Sequence, residues 1–202
     1  MFRLTHPLPE KYYIACSGGV DSMAVLHWLD KPSRRSNLLG VIHINHNTGD
    51  FANRASKLVL DYCSYHKITL HHRQLESHPP KGVSKEMWWR DRRYEIFNGF
   101  PEAVIIAHNF DDCLEEYITC CMVRGYQGTI PYQRDNCVRP FRLWKRKDIM
   151  NYAHRNGLSW EEDPSNRNTR FRRNFVRHEI VPKLLELNPG VYNIVEKMVR
   201  KY

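Results

Sequence analysis

The chain has 202 residues, enough for one sizeable core with a small appendage. At 42% hydrophobic and 26% charged it has a globular composition. No apolar run approaches the roughly 20 residues of a membrane span, and Pro7 and Pro9 break the stretch where a signal peptide would be apolar, so a cytosolic protein without membrane contact is expected. A formal net charge of +9 favours a polyanionic partner. The six cysteines form no C-x-x-C pair, which indicates neither a zinc ribbon nor a redox dithiol.

The first element, "KYYIA", is a short aromatic and branched run that predicts a buried strand. "MAVLHWL", from Met23 to Leu29, has helical spacing, so "CSGGVDSM" joins a strand to a helix N-terminus. Unpaired N–H groups of a first helical turn favour anions, Gly18 and Gly19 allow close approach to the main chain, and Ser17 and Ser22 add hydroxyl donors. No "GK[ST]" follows, which separates the loop from the lysine-bearing nucleotide loop. An ordinary strand-to-helix turn capped by Ser or Asp stays open at this point.

Next come a strand at "LLGVIHIN", a helical run from Phe51 to about Tyr65, a strand at "ITLHHRQL", a turn at "HPPKG" and a helix from Ser84 to Asn98. "AVIIAH" predicts a strand, Asp111 to about Arg124 a helix, and "CVRP" a last short strand. Strands separated by helices of this length predict an α/β fold: a parallel five-stranded sheet with helices on both faces. Its ligands should bind at the carboxyl edge, where "SGGVDS", "HINHN" and "AHNFDD" all fall.

Beyond Arg142 the strand signals stop. A helix closed by Gly157, the loop "LSWEEDPSNRNT" and two further helices predict a helical appendage over 143–202, after a catalytic domain over 1–142. Between Arg139 and Arg177 there are eleven Arg or Lys against four acids, an excess of +7. This is either a polyanion-binding face or a solvated helical surface.

Asp111, Asp112 and Glu115 share one helical face near an N-terminus. They read either as capping acids or, beside an anion loop, as a site for magnesium or an ammonium group. Glu86, Arg90, Arg93 and Tyr94 lie on one helix, and "HINH" offers His43, Asn45 and His46 as a nucleotide-contact loop.

"SGGVDS" resembles the pyrophosphate-loop signature of the ATP pyrophosphatases. Further matches, in order, resemble one branch, the tRNA(Ile)-lysidine synthases: "HINH", "E...R..RY", "AH..DD..E", "RG..G", "RP" at Arg139, "DPSN" at Asp163 to Asn166, and "RN..R....P" with Arg173, Asn174, Arg177 and Pro182. The resemblance implies a Rossmann-like, adenine nucleotide alpha hydrolase-like fold using ATP and Mg²⁺. In that chemistry the 2-oxygen of a wobble cytidine in a CAU-anticodon isoleucine tRNA is adenylated, and the ε-amine of free L-lysine then displaces AMP.

By the same resemblance, Ser17, Gly18, Gly19, Val20, Asp21, Ser22, His43 and Ala107 contact ATP, with Asp21 the magnesium carboxylate. Asp21, Arg90, Asp112 and Glu115 form the catalytic set, Arg90 steadying the α-phosphate and Asp112 and Glu115 holding lysine. Arg139, Arg170, Arg173 and Arg177 meet tRNA, and a homodimer is left open. Departures are Asn47, Thr48 and Gly49 after "HINH", Trp89 in place of a small residue and Glu116 in place of a threonine. Typical members also continue into further C-terminal domains. Two other functions compete: a pyrophosphate-loop tRNA thiolase, against which the lack of C-x-x-C counts, and a non-catalytic tRNA- or nucleotide-binding module.

Overall fold

The computed structural model describes residues 3–75, 79–126 and 128–201, without the side chain of Glu86. Glu86 of the helix motif and His78 of the expected turn therefore lie outside the described groups. A six-stranded sheet runs in the order β3-β2-β1-β4-β6-β5. Its strands are β1 (Tyr12–Ala15), β2 (Leu38–Asn45), β3 (Leu70–Gln74), β4 (Ala103–Ile106), β5 (Gln133–Arg134) and β6 (Cys137–Val138).

β1, β2, β3, β4 and β6 pair in parallel, as expected, and β5 adds an antiparallel edge. That edge has only Gln133 and Arg134, both exposed, so it carries no apolar alternation by which a strand is read from sequence.

Side chains alternate between the two faces of the sheet. Tyr12, Ile14, Cys16, Val41, Ile105 and Val138 pack against α1 (Val20–Leu29) and α3 (Asp50–Tyr65). Ile42, Ile44, Val104 and Cys137 point the other way, toward Phe97 of α4 (Lys85–Asn98). Both faces of the central strands are covered, which is why β1, β2 and β4 read as nearly continuous apolar runs.

After a short helix α2 (Pro32–Arg35) and past β4, helix α5 (Phe110–Thr119) continues into a π-helical turn, Cys120–Arg124. α6 (Arg146–Arg155) follows the expected boundary after Arg142, yet Ile149 and Ala153 are buried in the same cluster as α1, Phe141 and Trp144. The packing partner changes only after α6. α7 (Arg172–Phe175), a π turn (Val176–Ile180), α8 (Val181–Leu187) and α9 (Val191–Lys201) gather around α5, with Val176, Val191, Val195 and Val199 against Phe110, Leu114 and Ile118. Arg142, fully buried, fastens α9 by donating to the carbonyls of Ile130 (2.7 Å) and Val199 (3.1 Å).

Candidate active site

The loop after β1 is shaped by its own hydroxyls. Ser22 Oγ donates to the Gly19 carbonyl (2.9 Å) and accepts from the Ser17 N–H (3.1 Å), closing the turn. Gly18 sits at φ +86°, a conformation side chains rarely adopt, and a Cβ there would lie 3.0 Å from the Ala55 Cβ, so α3 would have to give by a few tenths of an ångström. Val20 is buried, which leaves its main chain to face a ligand. The first turn of α1 has no side-chain cap from Gly19, and its N–H groups point out at the carboxyl edge of the sheet.

Gly18→Ala is expected to cost about 1–2 kcal/mol of backbone strain, plus displacement of Ala55. Its melting temperature should fall by roughly 2–8 °C, and a nucleotide titration should show ATP binding weakened about tenfold.

Asp21 faces this loop from α1. Asn109 Nδ2 donates to its Oδ1 (3.0 Å) and the Arg146 guanidinium lies 3.6 Å from its Oδ2. Burial first, then the nearby Asp112 charge, push its carboxyl up to about 6. Asn109 is the N-cap of α5 and completes a capping box with Asp112: each accepts from the other's backbone N–H at 2.9 Å. The capping role open in the sequence is thus real for Asp112, but it uses one carboxylate oxygen only.

The other oxygen, Oδ1, accepts from Arg173 at 2.6 Å and stands 3.5 Å from Arg177. Glu115, one turn later and 3% exposed, accepts from Arg173 Nε (3.0 Å) and Arg177 Nε (2.6 Å). Burial is the largest single influence and would raise the Asp112 carboxyl, but the Arg173 guanidinium, the Asn109 N–H and Arg177 among its neighbours together hold the group below the usual carboxylate range. Asp111 points elsewhere, accepting from the Arg146 N–H (2.7 Å) at the start of α6, and burial raises its carboxyl.

An anion-attracting helix start thus adjoins a pair of carboxylates that hold side-chain cations. The PP-loop domain family matches residues 4–184, which include every one of these groups. The chain belongs to the PP-loop domain family.

Among curated relatives, it is similar to a tRNA(Ile)-lysidine synthase of Thermotoga maritima, 30% identical over 206 residues that cover 94% of this chain and 49% of that protein. A tRNA(Ile)-lysidine synthase of Nitrosomonas europaea is 31% identical, covering 90% of this chain and 42% of its own length. The chain therefore spans about half the length of the relatives it matches. Among solved structures, a U34-tRNA thiolase from Methanococcus maripaludis superposes with a TM-score of 0.75 at 14% identity, over 95% of this chain and 70% of that one. An NH3-dependent NAD synthetase from Campylobacter jejuni gives 0.53 at 15% identity, over 97% and 86%. At such identities the likeness is one of fold.

Within this PP-loop domain, several residues expected at the site have other neighbours. Arg139, expected at a tRNA surface, is 1% exposed and donates to His108 Nδ1 (3.1 Å), Tyr94 Oη (2.8 Å) and the Pro131 carbonyl (3.3 Å). That expectation is corrected: a buried guanidinium with its donors engaged inside the protein has no face for a phosphate. Accepting from Arg139 leaves the His108 ring neutral, and desolvation pushes it down to about 3. Arg139→Ala should unpair those acceptors, cost about 3 kcal/mol and leave the salt dependence of RNA binding unchanged; a phosphate contact would instead lower the salt slope by about one.

Arg173 and Arg177, also expected at tRNA, turn inward onto Asp112 and Glu115. Arg170 is exposed. His43, expected at ATP, is 2% exposed and uses both ring nitrogens inside the fold, Nδ1 on the Cys16 carbonyl and Nε2 with Ser56 Oγ, each at 2.8 Å. It braces the exit of β1 from behind. Ala107 directly follows β4, at the carboxyl edge of the sheet. Arg90 is exposed on α4, 5.9 Å from the Tyr94 ring centroid, with no ion pair among the described residues.

Asn109 and Arg146 were not anticipated. Neither stands near Asp21 in sequence, so only the α5 capping pattern hinted at Asn109.

For Mg²⁺, the test is the donor set. Asp21 is a carboxylate beside the phosphate loop whose charge is disfavoured by its surroundings, and a cation would relieve that. Mg²⁺ needs only one or two carboxylates plus substrate phosphates. The residues fit, with Asp21 as holder.

Proposed function

We propose that this PP-loop chain is the catalytic part of an ATP-dependent ligase that joins lysine to carbon 2 of the wobble cytidine in a CAU-anticodon isoleucine tRNA. The observation that carries this reading is the adjacency of two sites of opposite charge at one sheet edge. The turn over Ser17–Ser22 offers N–H groups to phosphates, and Asp112 with Glu115 already binds two guanidinium groups.

In the first step the cytidine 2-oxygen attacks the α-phosphorus of ATP and pyrophosphate leaves into the loop. Mg²⁺ held by Asp21 would screen phosphate charge when bound. In the second step the lysine ε-amine, having lost a proton, attacks carbon 2 and AMP leaves. The lysine cation takes the place of the Arg173 guanidinium, whose side chain is 48% exposed, while Arg177, at 20%, stays to hold Glu115. Arg170 and the loop from Asp163 contact the RNA, and the chain works in the cytoplasm, where tRNA is modified.

A thiolase would need cysteines that meet. Cys16, Cys63, Cys113, Cys120 and Cys137 are buried free thiols, and no group of three or more His, Cys, Asp or Glu that could hold a metal ion occurs among the described residues. The readings separate in one assay with ATP, radiolabelled lysine and CAU-anticodon tRNA. The ligase puts label into RNA and releases AMP; AMP without label would point to another pyrophosphate-loop reaction, and neither product to a binding module.

A further inference from the structure

The turn α7 presents two different surfaces. Residues two apart on a helix point about 200° apart, so Phe175 faces away from the carboxylate site that Arg173 and Arg177 enter, and Phe171, the N-cap, begins the same turn. Phe175 N–H closes the turn on the Phe171 carbonyl (2.9 Å), and the two rings are 51% and 46% exposed. Single exposed apolar residues need no explanation. Here two aromatic rings occupy one face of one turn, flanked by Arg167, Arg170 and Arg172, all exposed and without an ion pair among the described residues.

No acid occurs from Arg167 to His178. The turn is also held still. Asn174, 8% exposed, donates to the carbonyls of Ser165 (2.8 Å) and Asn168 (3.0 Å), and His178 Nε2 bonds the Asn166 carbonyl (2.9 Å).

We propose that Phe171 and Phe175 form a stacking platform for unpaired RNA bases next to the base that reacts. Rings interleaved with guanidinium groups suit single-stranded RNA, whose bases expose π faces while phosphates meet the arginines. A fixed platform loses little entropy when it binds. The platform and the carboxylates lie on opposite sides of this turn, and a helix is about 10–12 Å wide with its side chains, an arrangement that lets neighbouring bases be held while one enters the site. The inference rests on the reading of the chain as an RNA-modifying ligase, and it names the surface that grips the loop.

The test uses a short RNA hairpin with CAU in its loop, a 2-aminopurine beside it, and a fully paired duplex of equal charge. Phe171→Leu and Phe175→Leu keep apolar bulk but lose the π face. Each should weaken hairpin binding about tenfold, relieve the 2-aminopurine quenching and leave duplex binding and the salt slope unchanged. Phe171→Trp should restore binding, and Arg172→Ala should lower the salt slope by about one.

Wild-type hairpin affinity in both Leu variants would overturn the platform. So would a protein dimer, seen by sedimentation, that Phe171→Leu dissociates, since the rings would then be a self-association face. Label from lysine in RNA together with unaffected Phe variants removes the platform and keeps the ligase. Phe-dependent hairpin binding without ligation keeps the platform and removes the ligase.

Discussion

Glu115→Ala should reduce lysine transfer at least about a hundredfold while RNA-dependent ATP–pyrophosphate exchange stays within about tenfold. Glu115 is buried and accepts from both Arg173 and Arg177, so its loss leaves two guanidinium groups on Asp112 alone. Removing one member of a buried ion pair costs about 3–5 kcal/mol; the half-exposed Arg173 can turn to water, which puts the stability loss at the lower end. Among the described residues Asp21 bonds Asn109 and Arg146 and Glu115 bonds Arg173 and Arg177, with no bond between the two acids, so the proposed adenylation step should remain. Parallel measurement of exchange and of label entering RNA separates the steps. Equal loss of both would assign Glu115 to magnesium or to the fold, and Glu115→Gln, which keeps the volume, should show the same split with less loss of stability.

Asp21→Asn should lower adenylation by about 10²–10³ and change the pH dependence in two opposite senses. In the free protein the carboxyl is pushed up to about 6, so the wild-type kcat/KM for ATP, which reports the free protein, should fall as pH drops through about 6, where Asp21 gains its proton. Asn cannot titrate, and that acid limb should vanish from the residual rate. Stability runs the other way. Because the folded protein holds this proton more tightly than the unfolded chain, whose Asp titrates near 3.8, Asp21 costs stability as pH rises from about 4 to 6. Above pH 6 the Asn variant, free of that cost, should be the more stable by up to ~2–3 kcal/mol. Melting curves at pH 4.5 and 7.5 check the sign, at two conditions on either side of about 6.

A variant that is more stable and less active is what a functional carboxylate predicts. Its ionised form is disfavoured by the fold and retained for its chemistry. A merely structural Asp21, satisfied by Asn109 and Arg146, would give a less stable protein with little change in rate.

The loop and the sheet were legible because their signals are local. "KYYIA" before "SGGVDS" fixes a strand, a turn and a helix start within a few residues, and the acids of α5 fall on one face by helical spacing alone. What faces those acids was not legible. Arg139, Arg173 and Arg177 share a basic stretch, and the charge excess is the same whether a guanidinium meets water, a carbonyl or a carboxylate. Only packing decides: Arg139 is enclosed by Tyr94, His108 and Pro131, and Arg173 is drawn inward by Glu115.

The same limit hid Asn109 and Arg146, which reach Asp21 from α5 and α6. It also hid the alliance of α6 with α1. The apolar spacing of Ile149 and Ala153 marks a buried face without naming the partner that buries it.

On the proposed reading, the turn over Ser17–Ser22 holds a triphosphate so that its innermost phosphorus is transferred to a base. ATP labelled at either the α or the γ phosphorus, incubated with CAU-anticodon tRNA in the absence of lysine, distinguishes this transfer from its alternatives. The α label should become attached to RNA while the γ label leaves as pyrophosphate, and added lysine should then release the α label as AMP. Formation of ADP, with the γ label in orthophosphate or on RNA, would contradict this reading.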